Sequence, residues 1–103
     1  MTNISNEIIK TISNCFSIPA DVLFNESMKR PYPELRRIYY YVMSVNTNLS
    51  LGEIGKPFGQ TYANVSISLR KFRLDIRVND DFKELFNEVN NNLPNQYKVY
   101  LIN

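Results

Sequence analysis

Histidine is missing from this chain, and cysteine occurs once among its 103 residues. With one thiol and no imidazole, nucleophile–base pairs, histidine acid–base catalysts and Cys/His zinc sets cannot be assembled. Glycine is nearly as scarce, limited to Gly52, Gly55 and Gly59. Gly55-Lys56-Pro57 has neither the upstream glycine nor the following Ser or Thr of a phosphate-cradling loop. The carboxylates Asp80, Asp81, Glu84 and Glu88 recur at helical surface spacing and read as a solvated face. These shortages predict a protein that is not an enzyme and uses no cofactor and no metal. No apolar run approaches the roughly 18 residues that span a bilayer, and Met1-Thr2-Asn3-Ile4-Ser5 lacks the basic and apolar regions of a signal peptide. A cytoplasmic, nucleoid-associated protein without membrane contact is expected. The lone Cys15 falls in the apolar set Ile8, Ile9, Ile12, Cys15, Phe16 and reads as a small, inert core residue.

What is present is a hydrophobic fraction of 44% and an aromatic fraction of 13%, enough for one domain with a modest core. The net charge of +2 hides a strong internal division. Between Lys29 and Arg77 stand nine basic residues (Lys29, Arg30, Arg36, Arg37, Lys56, Arg70, Lys71, Arg73, Arg77) against Glu34, Glu53 and Asp75, a local charge of +6. Residues 1–28 and 78–103 each sum to −2. Cations gathered in the middle of a near-neutral chain suit an electrostatic footprint for a polyanion.

Hydrophobic periodicity predicts an all-α fold, a bundle of about five to six helices with a short C-terminal tail or strand. The stripe Ile8, Ile9, Ile12, Cys15, Phe16 places a first helix from near Ser5 to Phe16. Ile18-Pro19-Ala20-Asp21 reads as a restart, followed by a short helix through Val22, Leu23 and Phe24. Asn25 to Pro33, with two prolines and Lys29-Arg30, reads as an exposed, partly extended basic loop. The next helix begins near Pro33, turns Leu35, Ile38, Tyr39, Val42 and Val45 inward, and ends at Asn46-Thr47-Asn48.

Ser50-Leu51-Gly52-Glu53 is a capping box that opens a short helix carrying Leu51, Ile54 and Phe58. Pro57 and Gly59 stop it, the glycine in a left-handed conformation. Thr61 then caps a helix with Val65, Leu69, Phe72 and Ile76 at i, i+4, i+7 and i+11. Two helices joined by a tight glycine turn make a helix-turn-helix, here spanning Ser50 to Arg73. Val78-Asn79-Asp80 breaks that helix and caps a last one carrying Phe82, Leu85, Phe86, Val89 and Leu93, which Pro94-Asn95 ends. Residues 1–95 are expected to form the domain and 96–103 the tail, with Gln96 to Ile102 either a short strand or ordered chain.

The stretch Ser50-Leu51-Gly52-Glu53-Ile54-Gly55-Lys56-Pro57-Phe58-Gly59 resembles the S-L-x-E-I-G-x-x-F-G of the C-terminal DNA-binding domain of the bacterial replication initiator DnaA. Val65 follows, and Arg70-Lys71-Phe72 is similar to the R-K-I ending of the same family. Ile18 to Phe24 looks like its I-S-x-x-D-L-L, Arg30 matches its basic-loop arginine, and Arg36 matches an arginine opening its next helix. The likeness runs from about Ser5 to Leu93 and implies a helix-turn-helix that binds double-stranded DNA, here as a stand-alone module without the ATPase and oligomerisation domains that precede it in DnaA. The reading edge differs. Where the family has G-G-R-D-H-T-T-V-L-H-A, this chain has Gly59-Gln60-Thr61-Tyr62-Ala63-Asn64-Val65-Ser66-Ile67-Ser68, one residue shorter in the turn. Thr61, Tyr62 and Ala63 occupy the places of the base-reading Asp, His and Thr, and Met28 that of a minor-groove arginine. The resemblance therefore implies a target other than the family's usual box.

A recognition helix presents its N-terminal residues to base edges. The candidate base contacts are Gln60, Thr61, Tyr62, Ala63, Asn64 and Ile67. Gln and Asn each pair bidentately with adenine and an aliphatic group meets a thymine methyl, so a site leaning to A·T is expected. The alternatives are ordinary helix surface for Asn64 and Ser66, and packing for Tyr62 and Ile67. Lys29, Arg30, Lys56, Arg70, Lys71 and Arg73 are the candidates for phosphate or minor-groove contact, the alternative being a solvated charged face, which Arg77 shares. One of Arg36 and Arg37 is expected to pair with Glu34 or Glu53. The leading function is a DNA-binding regulator of replication or transcription, of a size suited to a phage or mobile element. The second is a protein-interaction or assembly module, such as a structural module of a phage, in which Tyr97-Lys98-Val99-Tyr100-Leu101-Ile102 adds a strand to a partner or a second copy.

Overall fold

The computed structural model describes residues 3–24 and 29–101. In chain order it contains α1 (Asn3–Phe16), α2 (Tyr32–Asn46), α3 (Leu51–Gly55), α4 (Tyr62–Val78) and α5 (Asp80–Asn92), with single 3-10 turns at Lys56–Phe58 and Asn95–Tyr97. No helix among the described residues is long and apolar enough to cross a membrane. Helix α2 is the hub, packing on each of the other four. Its buried positions, Leu35, Ile38, Tyr39, Tyr40, Val42 and Met43, cover more than one face, as a central helix requires.

Two aromatic clusters fill the core. In one, Phe72 is fully buried, stacked on Tyr41 with ring centroids 4.0 Å apart and meeting Phe82 and Phe86 edge-on. In the other, Phe24 stacks on Phe58 at 3.5 Å, and Tyr39 presents its ring edge to both. The Tyr39 hydroxyl shares a 2.6 Å hydrogen bond with the buried Ser5 of α1, so burying this phenol leaves no orphaned polar group. Burial pushes the neighbouring Tyr40 phenol up to about 12, with Arg36 pulling it the other way.

Several expectations are corrected. Val22, Leu23 and Phe24 form a turn, not a helix: the Val22 amide donates to the Pro19 carbonyl, and tertiary stacking fixes Phe24 against Phe58. Lys29 to Pro33 is not extended. The Tyr32 amide closes a turn onto Lys29, and α2 starts at Tyr32 with Pro33 in its first turn, where a missing N–H costs nothing. Residues 25–28 of the expected basic loop, including Met28, lie outside the described residues. Val45 is 52% exposed, because the last turn of α2 runs past the packed layer, and Tyr40 and Met43 take the inward places. Cys15 is only half-buried, its thiol 3.9 Å from the Glu88 carbonyl on α5. Burial, then the Glu88 charge, raises its pKa.

Of the two readings of the C-terminal segment, the ordered tail is the one found. After the 3-10 turn, the amide and carbonyl of Val99 are both bound by the side chain of Asn90 at 2.8 Å, and Asn46 donates to the Tyr97 carbonyl at 3.0 Å. Val99 is buried and Tyr100 points out, 80% exposed. Ile102 lies outside the described residues.

Candidate nucleic-acid interface

Local chemistry sets the two helices of the motif. The Ser50 hydroxyl accepts from the Glu53 amide at 3.2 Å while the Ser50 amide donates to the Glu53 carboxylate at 3.0 Å, so both halves of the capping box are made. The chain leaves α3 through the Lys56–Phe58 turn and reverses at Gly59, whose φ of 68° is the left-handed value glycine adopts without strain. The Gln60 amide donates back to the Gly55 carbonyl at 3.0 Å. Thr61 caps α4, its hydroxyl accepting from the Asn64 amide at 3.2 Å. Val65, Leu69 and Phe72 are buried and Ile76 partly so, leaving the opposite face of α4 outward.

That capping box carries a pH signature. Hydrogen bonds from Ser50 hold the Glu53 carboxyl below its usual range. A depressed carboxylate pKa stabilises the fold above the unfolded value, and this contribution fades as pH falls through the folded one. The stability difference between the natural chain and Glu53→Gln is therefore expected to hold steady at neutral pH and to shrink below about pH 4.5, read from paired urea titrations at pH 7 and pH 3.5. A difference that grows on acidification overturns this reading.

The six residues expected at the base edge all sit together at the start of α4. Thr61, Tyr62, Ala63 and Asn64 are exposed, Gln60 is half-buried, and the Asn64 side-chain amide donates to the Gln60 side-chain carbonyl at 3.2 Å. Tyr62 is 63% and Ile67 46% exposed, so neither is a core residue. The Thr61 hydroxyl has one lone pair committed to the cap.

The basic residues do not form one surface. Lys29, Arg30, Lys56, Arg70, Lys71 and Arg73 are all exposed. Lys71 and Arg30 line the same cleft of about 590 Å³, between the start of α2, α4 and the start of α5. Lys56 borders another, beside Ser5, Tyr39 and Glu53. Arg73 instead lines a groove between α4 and α5 together with Arg77. Two residues advance a helix by roughly 200°, so Lys71 and Arg73 occupy opposite flanks of α4. Arg30 reaches Glu34 at 3.4 Å with its side chain 79% exposed, a pair worth little.

Arg37 takes neither Glu34 nor Glu53, whereas the Glu34 charge acts on Arg36. Arg37 pairs with Asp75 at 3.1 Å, tying α2 to the outer half of α4, and Arg36 donates to the Leu23 carbonyl at 3.2 Å. The Arg37–Asp75 tie and the close seat of Gly55, where a Cβ would stand 2.7 Å from the Gln60 carbonyl oxygen, are not among the sequence expectations. The first joins residues 38 apart with no spacing signal, whereas the second had one in the rarity of glycine. Among the described residues no group of three His, Cys, Asp or Glu side chains is placed to hold a metal ion.

Residues 5–71 match the model of a protein family described as the bacterial DnaA protein helix-turn-helix. The matched span takes in α1 to α3, the glycine turn and the first ten residues of α4, which is more than half of the chain. The capped α3, the left-handed glycine and the outward start of α4 are thus parts of a known DNA-binding motif, and the chain belongs to the bacterial DnaA helix-turn-helix family.

Proposed function

We propose that this chain binds duplex DNA with sequence preference, at a site other than the family's usual box, and regulates replication or transcription on the bacterial nucleoid. The observation that carries the reading is the start of α4, where the rewritten residues Gln60, Tyr62, Ala63, Asn64 and Ile67 stand together facing solvent. Residues at that position enter the major groove. The Gln60–Asn64 hydrogen bond holds two amides side by side, each with a donor and an acceptor still to offer, and the Ala63 and Ile67 side chains suit thymine methyls. Lys29, Arg30, Lys56, Arg70 and Lys71 are the proposed phosphate contacts. Arg73 is left out of that set because it lines the groove between α4 and α5.

Selection from random duplexes is expected to return a motif rich in A·T steps. Affinity should fall steeply with salt, since each neutralised phosphate adds about 0.9 to the slope of log K against log salt. Replacing Arg70 and Lys71 with Ala should lower that slope by about 2 and weaken all sequences alike, whereas Asn64→Ala should relax preference at one position by roughly 1–3 kcal/mol. Failure to recover any motif, or affinity indifferent to salt, sinks the proposal.

A further inference from the structure

The groove between α4 and α5 lies almost wholly beyond the family match, which ends at residue 71. Its volume is about 1060 Å³. Above the buried Phe72 and Phe86, Ile76, Tyr41 and Leu101 give it an accessible apolar floor, and Arg73, Arg77 and Lys83 stand along its sides with no carboxylate in the lining. Arg73 and Arg77 are exposed, one helical turn apart, and have no ion-pair partner among the described residues. Arg77 complements the C-terminal end of α4, but Arg73 lies a turn earlier, where that field has faded. Lys83 has only the weak, exposed pairing with Asp80 at 3.5 Å.

We propose that this groove receives an acidic amphipathic helix of a protein partner. Apolar side chains of such a helix would cover the floor, and carboxylates at i and i+4 would meet Arg73 and Arg77, whose side chains are spaced by one turn. An extended strand is disfavoured as occupant, because the Val99 amide and carbonyl at the groove's end are both already bound by Asn90. DNA is disfavoured too: the groove opens on the flank of α4 opposite Lys71 and Arg30, and a phosphate backbone has little use for an apolar floor.

The test is selection from a phage-displayed library of random 16-residue peptides on the full chain, followed by titration of the enriched peptides with a fluorescent label. Enriched sequences are expected to carry paired Asp or Glu at i, i+4 beside Leu, Ile or Phe. Their affinity should drop at least fivefold in the double variant Arg73→Gln, Arg77→Gln and stay within twofold in Arg30→Ala, Lys71→Ala, whose side chains line the cleft on the other flank. No enrichment, winners without carboxylates, or affinity unchanged by the Arg73 and Arg77 substitutions overturns the proposal. So does a loss of duplex-DNA affinity in Arg73→Gln, Arg77→Gln equal to that of the Arg70 and Lys71 variant, which would make the pair part of the DNA footprint.

Discussion

Phe72→Ala is expected to cost about 3–5 kcal/mol, the range for removing a fully buried aromatic ring. The ring is 0% exposed and is the shared member of its cluster, touching Tyr41 of α2 and Phe82 and Phe86 of α5. Its removal takes away buried apolar surface and leaves a void that α2, α4 and α5 cannot close together, since α2 is also held by α1 and α3. A domain of this size has about 5–15 kcal/mol of stability in all, and each kcal/mol shifts the midpoint by about 4–8 °C. A melt followed by circular dichroism should therefore fall by on the order of 20 °C. Phe72→Leu, which keeps most of the volume, should lose far less. A loss under about 1 kcal/mol for the alanine variant would mean that Phe72 does not anchor the core.

Gly55→Ala is expected to destabilise the domain by roughly 1–3 kcal/mol despite sitting in a helix. Helix propensity by itself favours alanine there by about 1 kcal/mol. Packing opposes it: a Cβ at residue 55 would stand 2.7 Å from the Gln60 carbonyl oxygen and 2.8 Å from a Val65 methyl. The carbonyl belongs to the backbone that carries the chain into α4, and Val65 is fully buried and stiff at χ1, so neither yields cheaply. The two helices of the motif must spread, which moves Gln60 and Asn64 off the groove they are proposed to read. Duplex affinity should accordingly fall by more than the stability loss explains, measured well below the melting midpoint. Adding Val65→Ala should recover only part of the DNA affinity, because the contact with the carbonyl remains. Undiminished stability and affinity in Gly55→Ala would show that α3 and α4 have slack at their crossing.

The features most legible in the sequence were those made within a few residues. Ser50 with Glu53, Gly59 and Thr61 each act on a neighbour three or four positions away, and each stands where its residue type placed it. The buried faces of α4 and α5 were equally plain, since each packs mainly from one side. Helix α2 is less legible: with neighbours all round, a single stripe cannot describe it, and periodicity turns Val45 inward where the fold buries Tyr40 and Met43. Val22 to Phe24 carried apolar residues suited to a helix, but Phe24 is committed to a ring 34 positions away. The candidate site divides in the same manner. The exposed start of α4 is legible as a run of consecutive residues, whereas the clefts that Arg30 with Lys71 and Arg73 with Arg77 border depend on how α4 sits against α2 and α5, which the Arg37–Asp75 pair helps fix.

Asn79 closes α4 and opens α5 at once: its amide donates to the Asp75 carbonyl, its carbonyl accepts from the Lys83 amide, and its side chain accepts from the Phe82 amide. A junction one residue long with its backbone donor and acceptor both engaged leaves little slack between the helices it joins. The two helices accordingly form one bent arm, with the proposed DNA edge at one end and the basic groove around the elbow. Whatever seats itself at the elbow is carried wherever the tip docks, and tilting the tip swings the elbow with it.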